Sequence, residues 1–201
     1  VDDYLQALKT EMEKTFDQVP PTNLKTIFIG GGTPTALNET QLECLMNAIH
    51  HFIDIKSEME FTIEANPGDL TVEKLKILKD YGVNRLSLGV QSFNDDLLKA
   101  IGRSHKVEDV YTTIEAAKLQ GFSNISIDLM YGLPNQTIQD VEFALNEFFK
   151  LNIEHCSAYS LIVEPKTVFY NLMNRGKLPL PSEDLEASMY QLIMDQMEDH
   201  G

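Results

Sequence analysis

The hydrophobic pattern alternates between two periods along the whole chain. Thr26-Ile27-Phe28-Ile29 is an apolar run without polar alternation, which reads as a strand buried on both faces. It ends in Gly30-Gly31-Gly32-Thr33-Pro34. Further strands are read at Phe61–Glu64, Arg85–Gln91, Asn124–Met130 and Cys156–Val163. Between them the apolar residues recur at helical spacing. Leu5, Leu8, Met12 and Phe16 mark a helix over Val1–Phe16. Leu42, Leu45, Met46, Ile49 and Ile53 mark one over Glu39–Ile53. Leu75 and Leu78 belong to a helix capped by Thr71 and stopped by Gly82. A short helix is expected at Asp95–Ile101, with longer ones at Val107–Gln120 and from Thr137 to about Leu151. Ser182 caps a last helix carrying Leu185, Met189, Leu192, Ile193 and Met197. Asn38 with Gln41 has the spacing of a capping box. Gln18–Asn23 reads as a linker. The segment between Glu164-Pro165 and Ser182 reads as a Gly/Pro-rich connection.

Strand and helix therefore alternate at about 30 residues or a little more per unit, the period of βαβ repeats. Five buried-type strands imply a parallel sheet with helices outside. A closed eight-stranded barrel takes about 250 residues, so 201 residues suit an open or partial barrel. The chain starts on a helix that should follow a strand and ends on a helix. The expectation is a single domain over residues 1–201, cut from a longer protein, with a first strand missing.

Charge and cysteine usage narrow the function. A net charge of −15 argues against nucleic acid as a partner. No apolar stretch is long enough to span a membrane, and no signal peptide is visible. The two cysteines, Cys44 and Cys156, are far apart and read as buried structural thiols in a reducing, cytoplasmic setting. His155 and Cys156 are adjacent on a strand and so face opposite ways, which argues against a shared metal site. No metal ligand set and no Ser-His-Asp arrangement can be drawn from spacing, and no catalytic residue is assigned.

The candidate chemistry lies at the carboxyl ends of the strands, where a parallel barrel builds its ligand site. The glycine run lacks the spacing of a dinucleotide fingerprint and the Lys-Ser/Thr pair of a phosphate loop. Glu64 ends the second strand, Gln91 the third, and Asp128 interrupts the fourth. Arg103 follows the short helix. With the glycine loop these are expected to converge on a ligand bearing an ammonium, a carboxylate and hydroxyls. Each has a plainer reading. Asp128 can be a hydrogen-bonded structural residue, Gln91 and Ser92 can close a loop, Arg103 can be a surface ion-pair partner, and Glu64 can be a turn residue. His50 and His51 read as a solvated helix end, and His105 as a lone loop histidine.

Six segments taken together resemble a known family. They are Gly30–Pro34, Glu64-Ala65-Asn66-Pro67-Gly68, Asn84–Phe93, Gly102-Arg103-Ser104-His105, Asp128–Pro134 and Tyr159–Pro165. In this order they resemble the radical S-adenosylmethionine (SAM) family of oxygen-independent coproporphyrinogen III oxidases, and most closely its heme-chaperone branch. The resemblance implies a partial (β/α)6 barrel with five of the strands present. It implies that Gly31, Gly32 and Thr33 line the SAM pocket at the methionyl end. It carries further SAM contacts onto Glu64, Gln91, Arg103 and Asp128, and a contact near the adenine onto Ile162. It also implies a [4Fe-4S] cluster, heme or a porphyrinogen as cargo or substrate, and heme-acceptor proteins as partners.

The cluster ligands are the main departure. The family holds its cluster in a Cys-x3-Cys-x2-Cys loop after its first strand, and neither Cys44 nor Cys156 matches it. Truncation upstream is the expected reason, and this fragment alone should be inactive. Three further differences separate the branches. The oxidases typically carry an acidic residue where this chain has Asn66, Asp where it has Ser92, and Asn-Arg-Glu-Gln where it has Gly-Arg-Ser-His. These favour heme binding and transfer. The alternatives are oxidative decarboxylation of coproporphyrinogen III to protoporphyrinogen IX, and an unrelated partial barrel that binds a phosphorylated metabolite. The sequence assigns no heme ligand; His105 is a candidate that nothing in it singles out. Oligomeric state is not fixed by the sequence.

Overall fold

The computed structural model describes residues 1–200. The elements in chain order are α1 (Asp2–Gln18), β1 (Thr26–Ile29), α2 (Glu39–Phe52), β2 (Glu60–Ala65), α3 (Val72–Asp80), β3 (Arg85–Gln91), α4 (Asp95–Ala100), α5 (Val107–Leu119), β4 (Asn124–Tyr131), α6 (Ile138–Leu151), β5 (His155–Ser160), α7 (Val168–Asn174) and α8 (Glu183–His200). The strands form a five-stranded sheet in the order β1-β2-β3-β4-β5. The β1–β2, β2–β3 and β4–β5 pairs are parallel. Sequence order equals strand order, as expected when each strand is joined to the next by a helical crossover.

The chain folds as two compact units. Residues 1–88 with 111–125 form the first, and residues 89–110 with 126–201 the second. In the first, Phe61 and Ile63 of β2, Leu86 and Leu88 of β3, and Leu42, Met46, Leu75 and Leu78 of the helices are fully buried. In the second, Val141 and Leu145 of α6 close a cluster with Met189 and Ile193 of α8, flanked by Leu185, Leu192 and Met197. That cluster is the apolar face predicted for the last helix.

Caps set the helix starts where the sequence placed them. Asn38 and Gln41 exchange both bonds of a capping box at α2. Thr71 accepts from Lys74 N at α3, and Ser182 from Leu185 N at α8. Thr137 and Asp140 form a second box at α6.

Four expectations need correction. β1 is not buried on both faces: Thr26 and Phe28 are exposed, because β1 pairs with β2 alone at one end of the strand order. β5 ends at Ser160, so Leu161–Val163 are not strand, and its residues are half-buried or exposed. The supposed connection after Pro165 contains α7, with Thr167 accepting from Tyr170 N at 3.2 Å. Cys44 is exposed on α2 rather than buried.

Candidate functional site

In the first unit the glycine loop and Glu64 meet. The β1–β2 register sets Ile29 beside Ile63, so the loop leaves β1 just as β2 reaches Glu64. Gly31 N donates to Glu64 Oε2 at 3.0 Å. Gly31 and Gly32 hold φ of 83° and 64°, a left-handed pair that only glycine adopts cheaply. A Cβ on either would project into open space, so the requirement is conformational rather than steric. Gly30 differs. A Cβ there would stand 2.8 Å from Glu64 Cδ and 2.6 Å from Phe28 Cε1, so the carboxylate itself fills the space a side chain would take. Thr33 Oγ1 accepts from Asn66 Nδ2 at 3.2 Å. The Asn-Pro-Gly turn after β2 is thereby tied to the loop after β1.

In the second unit Gln91 ends β3 with φ of 68° and only 7% exposure. A buried non-glycine residue held in the left-handed region is a strained position of the kind that concentrates at ligand sites. The segment that follows is pinned at several points. His105 Nε2 lies 3.1 Å from the Val90 carbonyl and therefore donates to it. Ser92 Oγ accepts from Asn94 N. Asn94 caps α4 and donates to Asp140 at 2.9 Å. Asp95 accepts from Val107 N at 2.8 Å. Arg103 stands on this braced segment. Burial lowers its pKa, and the charge of Asp128 works the other way. The opposite charge of Asp128 favours the guanidinium cation but does not outweigh its burial. Burial, with Asp128 adding to it, pushes the Cys156 thiol up to about 12. Cys156 is thus kept protonated and unreactive. Ile162 is 73% exposed beyond β5.

The structure thus gathers Gly31, Gly32, Thr33 and Glu64 in one unit, and pairs Arg103 with Asp128 in the other. His105 is buried and its Nε2 is committed to the backbone. His50 and His51 are exposed, as expected, though His50 also packs its ring edge against Tyr81 and bonds the Tyr81 carbonyl at 2.9 Å. Sequence reasoning missed Asn94 and Lys74. The Asn94-Asp95-Asp96 sequence is an N-cap followed by first-turn acids and could have been read as one. Lys74 lies amid other lysines on α3, and nothing in the sequence distinguishes it.

Comparison with known proteins decides the family. The radical SAM superfamily pattern matches residues 6–148. The chain belongs to the radical SAM superfamily. Within it, the chain is 57% identical over its full length to the heme chaperone HemW of Bacillus subtilis, and 48% identical to that of Lactococcus lactis. It covers 53% and 52% of those proteins, about half the length of each. The solved structure of Escherichia coli coproporphyrinogen III oxidase (HemN), described as a radical SAM enzyme, superposes with a TM-score of 0.87 at 29% identity. It matches all of this chain, which covers 46% of that one. The fold class is therefore the parallel α/β partial barrel of radical SAM proteins.

Proposed function

We propose that these residues form the SAM-binding part of a heme chaperone. The observation that carries the reading is the glycine loop closed on Glu64, in a chain 57% identical throughout to a protein named heme chaperone. SAM presents an ammonium, a carboxylate and ribose hydroxyls, and the donor set fits it. Two glycines leave their Cα faces open beside a fixed carboxylate. Arg103 and Asp128, described within the second unit, carry opposite charges that suit the carboxylate and the ammonium or hydroxyls of such a ligand. In this assignment Gly31, Gly32 and Thr33 receive the methionyl end, Glu64, Gln91, Arg103 and Asp128 make further polar contacts, and Ile162 lies near the adenine. Bound SAM supplies the adenosyl group from which the family draws its radical chemistry. The residues of this chain hold and orient it.

A [4Fe-4S] cluster does not fit the residues present. Clusters are held by several thiolates at one point. The chain has two cysteines, and no group of three metal-binding side chains exists among the described residues. We assign no cluster ligand to this chain and derive no step through the cluster.

Heme is the proposed cargo, handed to an acceptor protein. We assign no heme ligand. The hydrogen bond from His105 Nε2 to the Val90 carbonyl argues against that residue. We place the protein in the cytoplasm. Two unpaired cysteines support a reducing compartment, and no helix among the described residues is long and apolar enough to cross a membrane.

The second reading is coproporphyrinogen III oxidation, favoured by the structural likeness to HemN. The residues that separate the branches have structural partners here: Asn66 with Thr33, Ser92 with Asn94, and His105 with Val90. The test uses the full-length protein, reconstituted with iron and sulfide without oxygen. Stoichiometric heme binding without decarboxylation of coproporphyrinogen III is expected. Decarboxylation coupled to SAM consumption would transfer the protein to the oxidases.

A further inference from the structure

Lys74 is a cation with only 9% of its surface exposed, on α3 in the first unit. A buried ammonium is expensive unless its protons find acceptors. Here Nζ donates to the Thr35 carbonyl at 2.8 Å and to the Asp69 carbonyl at 3.1 Å. Both acceptors are backbone groups, and both lie just past the glycine-loop site. Thr35 is two residues beyond Thr33 in a short 3-10 turn, Pro34–Ala36. Asp69 is three residues beyond Asn66, and Asp69 Oδ2 accepts a long bond, 3.4 Å, from the same Asn66 amide that holds Thr33. The loop after β1 and the turn after β2 are therefore joined twice, by the half-buried Asn66 and by the buried Lys74. Thr35 itself is fully buried and its Oγ1 has no hydrogen-bond partner. Its side chain does not anchor the segment, whereas its carbonyl does.

We propose that Lys74 is a positioning residue for the ligand loop. Its ammonium fixes the segment after Gly31-Gly32-Thr33 against the turn after Glu64, and so sets SAM affinity. This rests on the reading of the loop as a SAM site. A side chain that held only the hydrophobic core would use its aliphatic stem. The geometry instead spends two charge-assisted bonds on two loops.

The test compares Lys74→Arg, Lys74→Gln and Lys74→Met in the reconstituted full-length protein, whose donors fall from several to a shorter amide to none. Amide exchange over residues 31–37 and SAM dissociation constants are measured together, with exchange in α6 as the internal reference. Exchange in 31–37 is expected to quicken in the order Arg, Gln, Met, with α6 unchanged. SAM affinity is expected to fall in the same order, by about tenfold for Lys74→Met, the equivalent of one lost net interaction of this kind. Lys74→Arg recovers most of both. If Lys74→Met does not fold, the Arg-to-Gln step carries the same comparison. Wild-type exchange and affinity in a folded Gln or Met variant would overturn the proposal, as would a loosened segment with unchanged affinity. A wild-type protein that binds no SAM at all would overturn the ligand assignment instead, and the exchange order would then still show whether Lys74 holds the loop.

Discussion

Replacing Gly30 by alanine perturbs the site at its most crowded point. The φ of Gly30 is not left-handed, so the backbone accepts an L-residue without strain. The added methyl would meet Phe28 Cε1 at 2.6 Å and Glu64 Cδ and Oε1 at 2.8 and 2.9 Å. Phe28 is 58% exposed and can rotate away. Glu64 can yield only by giving up its bond to Gly31 N. In an exposed setting that bond is worth about 1 kcal/mol, and an off-rotamer carboxylate adds about 0.5–1.5 kcal/mol. Gly30→Ala should therefore cost about 1–2 kcal/mol. With Glu64→Ala already made, the obstruction is gone. The same change should then be neutral, or stabilising by up to about 1 kcal/mol through the unfolded chain. Urea unfolding of the wild type, both single variants and the double variant closes the cycle. The expected coupling is about 1 kcal/mol or more, with the double variant more stable than the sum of the singles predicts. Additivity to within about 0.5 kcal/mol, the behaviour of independent sites, would refute the contact between Gly30 and Glu64.

Three further outcomes follow from the same geometry. Gln91→Gly relieves a left-handed buried residue, so it should leave stability within about 1 kcal/mol of wild type while weakening SAM binding in the full-length protein, read by urea unfolding and equilibrium dialysis. Timed alkylation at pH 8 should label Cys44 and spare Cys156, whose thiol is held at about 12, until denaturant is added. Burial alone would raise the Asp140 carboxyl, but hydrogen bonds from Thr137 and Asn94 outweigh it and leave the group below its ordinary value. A depressed carboxyl stabilises the fold above its unfolded pKa, near 4, and that share is lost as pH falls through the lower folded value. Asp140→Asn should cost about 1 kcal/mol at pH 7, and the gap to wild type in urea unfolding should narrow below about pH 4.

The interior of this fold was legible because its signals are local. Short segments rich in strand-favouring apolar residues mark β2, β3 and β4, whose residues are largely buried on both faces, and Asn38, Thr71, Thr137 and Ser182 mark helix starts by their own hydrogen-bonding chemistry. The same run of residues misled at Thr26–Ile29. Burial there depends on what lies beside the strand, and no residue within it encodes that. β5 was drawn too long because Leu161-Ile162-Val163 is apolar, yet Ile162 faces solvent. α7 is hidden in the sequence because Gly176 and three prolines frame the segment as loop, which masks the Thr167 cap. At the site, the glycines and Glu64 were identified as a group from sequence, but their hydrogen bond comes from the β1–β2 register. Lys74 was invisible because a lysine on a helix signals a solvated face by default. Only the fold brings two backbone carbonyls to its ammonium.

We propose that SAM is held at the loop after β1, closed on Glu64. A crystal structure of the reconstituted full-length protein with SAM bound tests it most directly. The methionyl group is expected against the Gly31-Gly32 backbone, with Glu64 and Thr33 within hydrogen-bonding distance. SAM bound away from that loop, or a loop left empty at saturating SAM, would contradict it.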